Sequence, residues 1–230
     1  MADGYAANTV SQAIDAAVAE RAMLSHPFYQ AWSAGELPLD TLRAYARQYF
    51  HHVEAFPRAV SAVHSNCPDR DGRWMLAENL AEEEGLGEGK QDHATLWAMF
   101  AEGLGETEHS IRAQALNPET LELIATFRRL STQSYAAGLG ALYAYESQFP
   151  NVARAKIEGL VERYGIADEP TLRFFRVHED ADVEHAAVCR GLLDQLPGDE
   201  GAEAAAAGAE LAGALWNFLS GVERAGASLH

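Results

Sequence analysis

Two histidines and an aspartate follow one another at helical spacing near the carboxyl end of the chain. His178, Asp182 and His185 stand at positions i, i+4 and i+7 of the run from Thr171 to Leu193, whose pattern predicts a helix. At about 100° per residue, the three side chains fall within about 60° of arc on one helix face. Their neighbours are small or apolar, and buried imidazole and carboxylate groups are costly unless they are paired or bind a metal. The stripe therefore predicts a helix packed inside a larger helical assembly; a solvated stripe that arose by chance is the alternative.

Helical periodicity extends along nearly the whole chain, and no segment alternates as a strand would. Glycine and proline divide the pattern, as in residues 85–89, where three of five residues are glycine. These divisions predict an all-α bundle of about seven to eight helices in one domain over residues 1–230. A break at 197–202 precedes the last predicted helix, at 203–226, which could also support a homodimer.

The excess of acidic over basic residues limits the kinds of partner that the chain is expected to bind. Its 230 residues include 17 basic and 34 acidic ones, a formal charge of −17. This charge repels nucleic acid and anionic membrane surfaces, so neither is expected as a partner. Two cysteines are too few for a disulfide framework, no signal peptide is apparent, and no apolar run reaches the roughly 18 residues of a spanning helix. We therefore expect a cytoplasmic protein with reduced thiols.

Three more side chains are candidates for a site shared with the stripe. Glu83 follows Leu76 and Leu80 at helical spacing, so it is the member of an acidic run that points inward. The glycine-rich segment after it can bring His93 back towards Glu83, although a plain surface loop explains that segment equally well. Glu146 lies in an apolar stretch, where a salt bridge to a surface cation is the alternative to a metal. Imidazole and carboxylate suit iron and manganese, and the lack of a nearby cysteine argues against a metal that prefers thiolate.

Together these residues resemble the heme-oxygenase-like dimetal oxidases, relatives by fold of thiaminase-type proteins and of the final oxidase of pyrroloquinoline quinone synthesis. Within that family the chain is most similar to the branch of the chlamydial protein associating with death domains, whose members act as 4-aminobenzoate synthases. The resemblance spans residues 25–193 and depends on the order and spacing of short motifs. The motifs are His26–Tyr29, Tyr49–Arg58, Asn79–Gly85, His93 with Trp97, Tyr145 with Glu146, and the stripe His178, Asp182 and His185.

The resemblance implies a site for two transition-metal ions, Fe/Fe or Mn/Fe, that reacts with dioxygen and an external reductant. Its six implied ligands are Glu83, His93, Glu146, His178, Asp182 and His185.

The same resemblance implies that a tyrosine of the enzyme is consumed as the ring source and that a lysine takes part in the amination. Tyr29 and Lys156 occupy the matching positions, and Tyr145 is an additional active-site tyrosine. Without the resemblance, Tyr29 would be an ordinary packing residue and Lys156 a solvated surface lysine. A further tyrosine of that branch is replaced by Phe174 here, which removes one phenol from the site.

Two other functions are compatible with the sequence. A related dimetal N-oxygenase or C–C-cleaving oxidase, acting on a free amino acid or fatty acid, would use the same ligands with a substrate pocket in place of a consumed tyrosine. A metal-free helical interaction protein would hold no stoichiometric metal. Glu54, in an aromatic and apolar stretch, is a candidate for an extra metal ligand.

Overall fold

The computed structural model describes residues 9–227, apart from the side chains of residues 180, 181 and 227. Within these residues the chain forms eleven α-helices and one short 3-10 helix and contains no strand, which confirms the all-α fold. The helices are α1 Val10–Ala19, α2 Pro27–Ala34, α3 Leu39–Asn66, α4 Arg70–Glu83, α5 His93–Gly103, α6 Glu108–Arg112, α7 Pro118–Gln133, α8 Tyr135–Glu146, α9 Phe149–Glu162, α10 Glu169–Leu193 and α11 Gly198–Ala227, with the 3-10 helix at Met23–Ser25.

The helix count exceeds the predicted seven to eight because several short helices fill the connections. The five-residue α6 is one of them, and it begins at a capping box between Thr107 and Ser110. The last helix also differs from its prediction, because α11 begins at Gly198 rather than at 203. Asp199 and Glu200 lie in its first turn, where acidic side chains favour a helix start. The predicted break at 197–202 is therefore much shorter than expected.

The glycine-rich segment between α4 and α5 reverses the chain as the sequence predicts. Gly85, Gly87 and Gly89 all have positive φ, a region that glycine enters without steric cost. A Cβ on Gly85 would lie 2.3 Å from the backbone nitrogen of Asp92, so the turn leaves no room for a larger residue. Asp92 then caps α5 by accepting from Thr95 N. This turn sets the start of α5, and with it His93, beside the end of α4.

The apolar helix α8 lies at the centre of the bundle. Every residue from Ala136 to Glu146 is buried, and α8 packs against α3, α7, α10 and α11. The approach to α11 is close at Gly140, where an added Cβ would lie 2.1 Å from the carbonyl oxygen of Ala204. The core is thus built around a helix that ends in a buried carboxylate, Glu146.

Among the residues that the structure describes, no helix combines the length and the apolar character needed to cross a membrane.

We expect Gly140→Ala to destabilise the fold by about 1–3 kcal/mol, because the new methyl group must push α8 and α11 apart. Gly191→Ala is the matched control: its Cβ meets nothing within 4 Å, so it should be neutral or stabilise α10 by about 0.5–1 kcal/mol. Urea unfolding of both variants measures the difference. Equal stability of the two would contradict the close packing of α8 on α11.

Candidate metal and tyrosine site

The stripe on α10 faces the interior of the bundle. His178 and Asp182 are 4% and 2% exposed, and His185 is half-buried. The solvated alternative is therefore wrong for this helix. His178 is held in place by its own helix, since its Nδ1 donates to the carbonyl oxygen of Phe174 at 2.7 Å. A carbonyl can only accept, so Nε2 of His178 keeps a free lone pair, as a metal ligand requires.

Three buried side chains from three helices bring their donor atoms within 4.8 Å of one another. They are Glu83 at the end of α4, His93 at the start of α5 and His178 on α10. Nδ1 of His93 lies 2.7 Å from Oε2 of Glu83, yet it has no hydrogen-bond partner. Burial opposes charge on His93, but Glu83 and then Asp182 raise its pKa above the usual value. Two imidazoles and a carboxylate in this arrangement form a donor set that suits a divalent transition metal.

A second group of the same chemistry adjoins the first. Asp182 Oδ1 lies 3.5 Å from His185 Nδ1, and Asp182 Oδ2 has no hydrogen-bond partner. Burial raises the pKa of Asp182 to about 6, and that of Glu146 to about 7. Burial lowers the pKa of His185, but Asp182 and Glu146 outweigh it and raise the value to about 9. The charge of Glu83 acts on Asp182 as well, so the two groups lie close enough to interact.

Glu146 is anchored through both carboxylate oxygens by residues without a role in the sequence analysis. Asn79 Nδ2 donates to Oε1 at 2.7 Å, and the Cys189 thiol donates to Oε2 at 3.3 Å. The expectation that no cysteine lies near the candidate ligands was therefore wrong. Cys189 continues the stripe of α10, four residues after His185, and this spacing is a signal that the sequence contained. Glu146 has these neutral partners instead of the surface cation that was the alternative.

The three consecutive glutamates at the end of α4 differ in burial, as their spacing predicts. Glu83 is 3% exposed and Glu84 is exposed, while Glu82 lies at the rim with its Oε2 3.1 Å from His185 Nε2. Glu54 is not part of this site, because it is exposed and forms an ion pair with Arg112 at 2.6 Å. The idea that Glu54 is an extra ligand was wrong.

Lys156 is completely buried, so the alternative of a solvated surface lysine is wrong. Its Nζ donates to the hydroxyl of Tyr45 at 2.7 Å and lies 5.6 Å from the centre of the Tyr29 ring. The hydroxyls of Tyr45 and Tyr29 are themselves 3.2 Å apart. Rings of six aromatic residues surround the amine at 5.0–5.6 Å, namely Tyr29, Tyr45, Tyr49, Trp97, Phe149 and Phe175. Burial lowers the pKa of Lys156 well below its usual value, which favours the neutral, nucleophilic amine.

A line of tyrosines connects this lysine to the carboxylate and imidazole groups. Tyr145 precedes Glu146 in α8, and its hydroxyl lies 2.8 Å from that of Tyr49. Tyr49 stacks on Tyr45 with ring centres 5.5 Å apart. Sequence reasoning gave Tyr45 and Tyr49 no role, although their spacing of four on α3 puts them on one helix face. Phe174, where the similar branch has a tyrosine, is buried with its ring centre 4.1 Å from that of His178.

Burial of the Lys156 amine predicts how the free energy of unfolding depends on pH. In the unfolded chain Lys156 is charged up to about pH 10.5, whereas its folded-state pKa is lowered, so the unfolded state binds one more proton between these values. Methionine binds no proton in either state, so the Lys156→Met variant lacks this difference in proton binding between the unfolded and folded states. The wild type should therefore gain up to about 1.4 kcal/mol per pH unit relative to the variant as the pH rises within this window. Urea unfolding of both proteins between about pH 7 and pH 9 measures it, and parallel pH dependences would contradict a neutral buried amine.

Comparison with known proteins agrees with this geometry. A family model described as iron-containing redox enzyme matches residues 43–217. The chain is 40% identical over 207 residues to a 4-aminobenzoate synthase of Chlamydia muridarum, covering 90% of this chain and 86% of that protein. It is 39% identical over 229 residues to a 4-aminobenzoate synthase of Nitrosomonas europaea, covering 94% and 92%. A solved TenA homologue from P. horikoshii OT3 has the same fold, with a TM-score of 0.77 at 13% identity over 94% of this chain and 99% of that one. The chain therefore belongs to the iron-containing redox enzymes of heme-oxygenase-like fold, and is an oxidoreductase of that family.

Proposed function

We propose that this chain is a 4-aminobenzoate synthase that uses its own Tyr29 as the source of the aromatic ring. The proposal includes two transition-metal ions, Fe/Fe or Mn/Fe, with dioxygen and an external reductant as the other reactants. It is supported by the 40% identity to proteins named 4-aminobenzoate synthase and by the iron-containing redox family. The observation that carries it is the buried Lys156 amine beside the buried hydroxyls of Tyr45 and Tyr29.

The ions would be held by the two adjoining groups of donors, Glu83, His93, Glu146, His178, Asp182 and His185. Three carboxylates balance much of the charge of two divalent ions, and buried oxygen and nitrogen atoms without hydrogen-bond partners are the atoms that a metal would satisfy. Iron in such a site supplies the one-electron and dioxygen chemistry that amino-acid side chains lack. Asn79 and Cys189 would orient Glu146, as outer partners orient metal ligands elsewhere.

Tyr29 has the substitution pattern that the product requires. Its ring bears Cβ and the hydroxyl at opposite positions, and 4-aminobenzoate bears its carboxylate and amine at opposite positions of the same ring. Formation of the product would cleave the Cα–Cβ bond, oxidise Cβ to the carboxylate with dioxygen as the oxidant, and exchange the hydroxyl, released as water, for nitrogen from the Lys156 amine, whose Cε–N bond would break. Tyr45 would hold the neutral Lys156 amine beside Tyr29 through its hydroxyl. The surrounding rings would keep water from that amine.

The packing around Tyr29 disfavours the alternative of a free substrate. Tyr29 is 2% exposed, and its ring contacts those of Phe28 and Trp32 while its hydroxyl contacts Tyr45. A free amino acid or fatty acid that reacted at this place would have to displace these side chains. A consumed Tyr29 needs no such space, because the reacting ring is already part of the core.

We expect Tyr29→Phe to bind iron normally and to form no 4-aminobenzoate, because the ring loses the hydroxyl at the position to be aminated. Anaerobic iron loading, exposure to dioxygen with a reductant, and analysis of the small-molecule product and the intact protein mass test this. Tyr143→Phe is the matched control on a buried tyrosine whose hydroxyl donates to Asp15, outside the site, and it should keep the product yield. If the wild type forms product and its intact mass does not change, the enzyme does not consume its own tyrosine.

Asp182→Asn should weaken iron binding by about tenfold or more, because an amide replaces an anionic ligand. Glu184→Gln removes the same charge from an exposed position of α10 and should bind iron as the wild type does. Iron titration monitored by metal analysis compares the two. Equal iron affinities would remove Asp182 from the ligand set.

A further inference from the structure

A separate cavity of about 270 Å³ lies between α3 and α7, and its lining residue His52 contacts the ring of Tyr145. Helix α3 contributes His52, Phe56 and Arg58 to its lining, and α7 contributes Ile124, Phe127 and Arg128. The Phe56 and Phe127 rings lie 5.4 Å apart and form an apolar wall. This volume is below that of sites for drug-sized ligands, so the cavity suits a small molecule.

Two of the residues that line the cavity are arginines, Arg58 and Arg128. Arg58 and Arg128 are exposed, and neither forms an ion pair with a residue in the described part of the chain. By contrast, Arg129, the next residue of α7, pairs with Glu210. In a chain with a formal charge of −17, two such arginines beside one apolar cavity favour the binding of an anion.

One residue that lines the cavity has a buried polar atom without a hydrogen-bond partner. His52 is 1% exposed, and its Nε2 forms no hydrogen bond. A buried imidazole nitrogen without a hydrogen-bond partner is unfavourable, and a polar group of a ligand would provide that partner. Burial lowers the pKa of His52 to about 3, so the ring is neutral and Nε2 can accept or donate according to its tautomer.

Two rings that line the cavity contact Tyr145 of the tyrosine site. The His52 and Phe56 rings lie 5.3 Å and 5.0 Å from that of Tyr145, centre to centre. The hydroxyl of Tyr145 lies 2.8 Å from that of Tyr49, and Tyr145 directly precedes Glu146 in α8. Residues that line the cavity are therefore in direct contact with the candidate active site through Tyr145.

We infer that this cavity binds a small aromatic carboxylate, with the carboxylate at Arg58 and Arg128, the ring against Phe56 and Phe127, and a polar substituent at His52 Nε2. The product of the proposed reaction has this chemistry, with a carboxylate and an amine at opposite ends of a flat ring. Its identification as the natural ligand rests on the proposed function, whereas the affinity for an aromatic carboxylate does not. A free aromatic acid from solution shares the same chemistry.

Isothermal titration of 4-aminobenzoate into the iron-loaded, full-length protein under anaerobic conditions tests the site without turnover. Arg58→Gln and Arg128→Gln should each weaken binding about tenfold, as expected for the loss of one charge-assisted contact. Arg129→Gln, which removes the same charge one residue away, should change the affinity less than about twofold. Aniline, which lacks the carboxylate, should bind wild type at least about tenfold more weakly than 4-aminobenzoate.

Benzoate distinguishes the two sources of ligand. Affinity for 4-aminobenzoate at least about tenfold above that for benzoate supports retention of the reaction product, because the amine then contacts His52. Equal affinity supports a general site for aromatic acids. Absence of saturable binding to wild type, or equal binding by Arg128→Gln and Arg129→Gln, overturns the inference. None of these titrations requires Tyr29 to react, so their failure leaves the proposed function intact.

Discussion

Three carboxyl groups and three imidazoles share a dry helical interior, and this concentration of polar side chains governs the rest of the structure. Burial raises the pKa of Asp182 to about 6 and that of Glu146 to about 7, because the interior opposes their charge. Such groups are stable together when positive charge is shared among them, as a proton on His185 or as bound cations. Helices α4 and α8 end at this point, α5 begins there and α10 passes it, and the glycine turn before His93 makes that convergence possible.

Lys156 lies in the same core, and the same opposition of burial to charge lowers the pKa of this base instead of raising it. Lys156 has aromatic rings around it and the Tyr45 hydroxyl as its hydrogen-bond partner, so the low-polarity surroundings favour the uncharged amine. Tyr145 and Tyr49 connect this amine to the carboxylate and imidazole groups through hydroxyl and ring contacts. An oxidising site and a nucleophilic amine thus lie in one continuous core, with Tyr29 beside the amine.

Much of the fold could be predicted from local sequence, because helix starts, glycine turns and apolar spacing act over a few residues. The inward face of α10 and the position of Glu83 followed from such spacing. Burial of Lys156 could not, since it depends on six rings that long stretches of chain bring together. Asn79 and Cys189 were missed for the same reason, because their partner Glu146 lies on another helix. The early start of α11 was missed because glycine and proline at 197–201 outweighed the acidic first turn.

A crystal structure of the iron-loaded protein would determine whether the three carboxylates and three imidazoles of the core enclose two cations. Anomalous difference maps at the iron edge should contain two peaks per chain, one at Glu83, His93 and His178 and one at Glu146, Asp182 and His185. A single peak, or iron bound elsewhere on the chain, would contradict the binding of two cations by these six side chains.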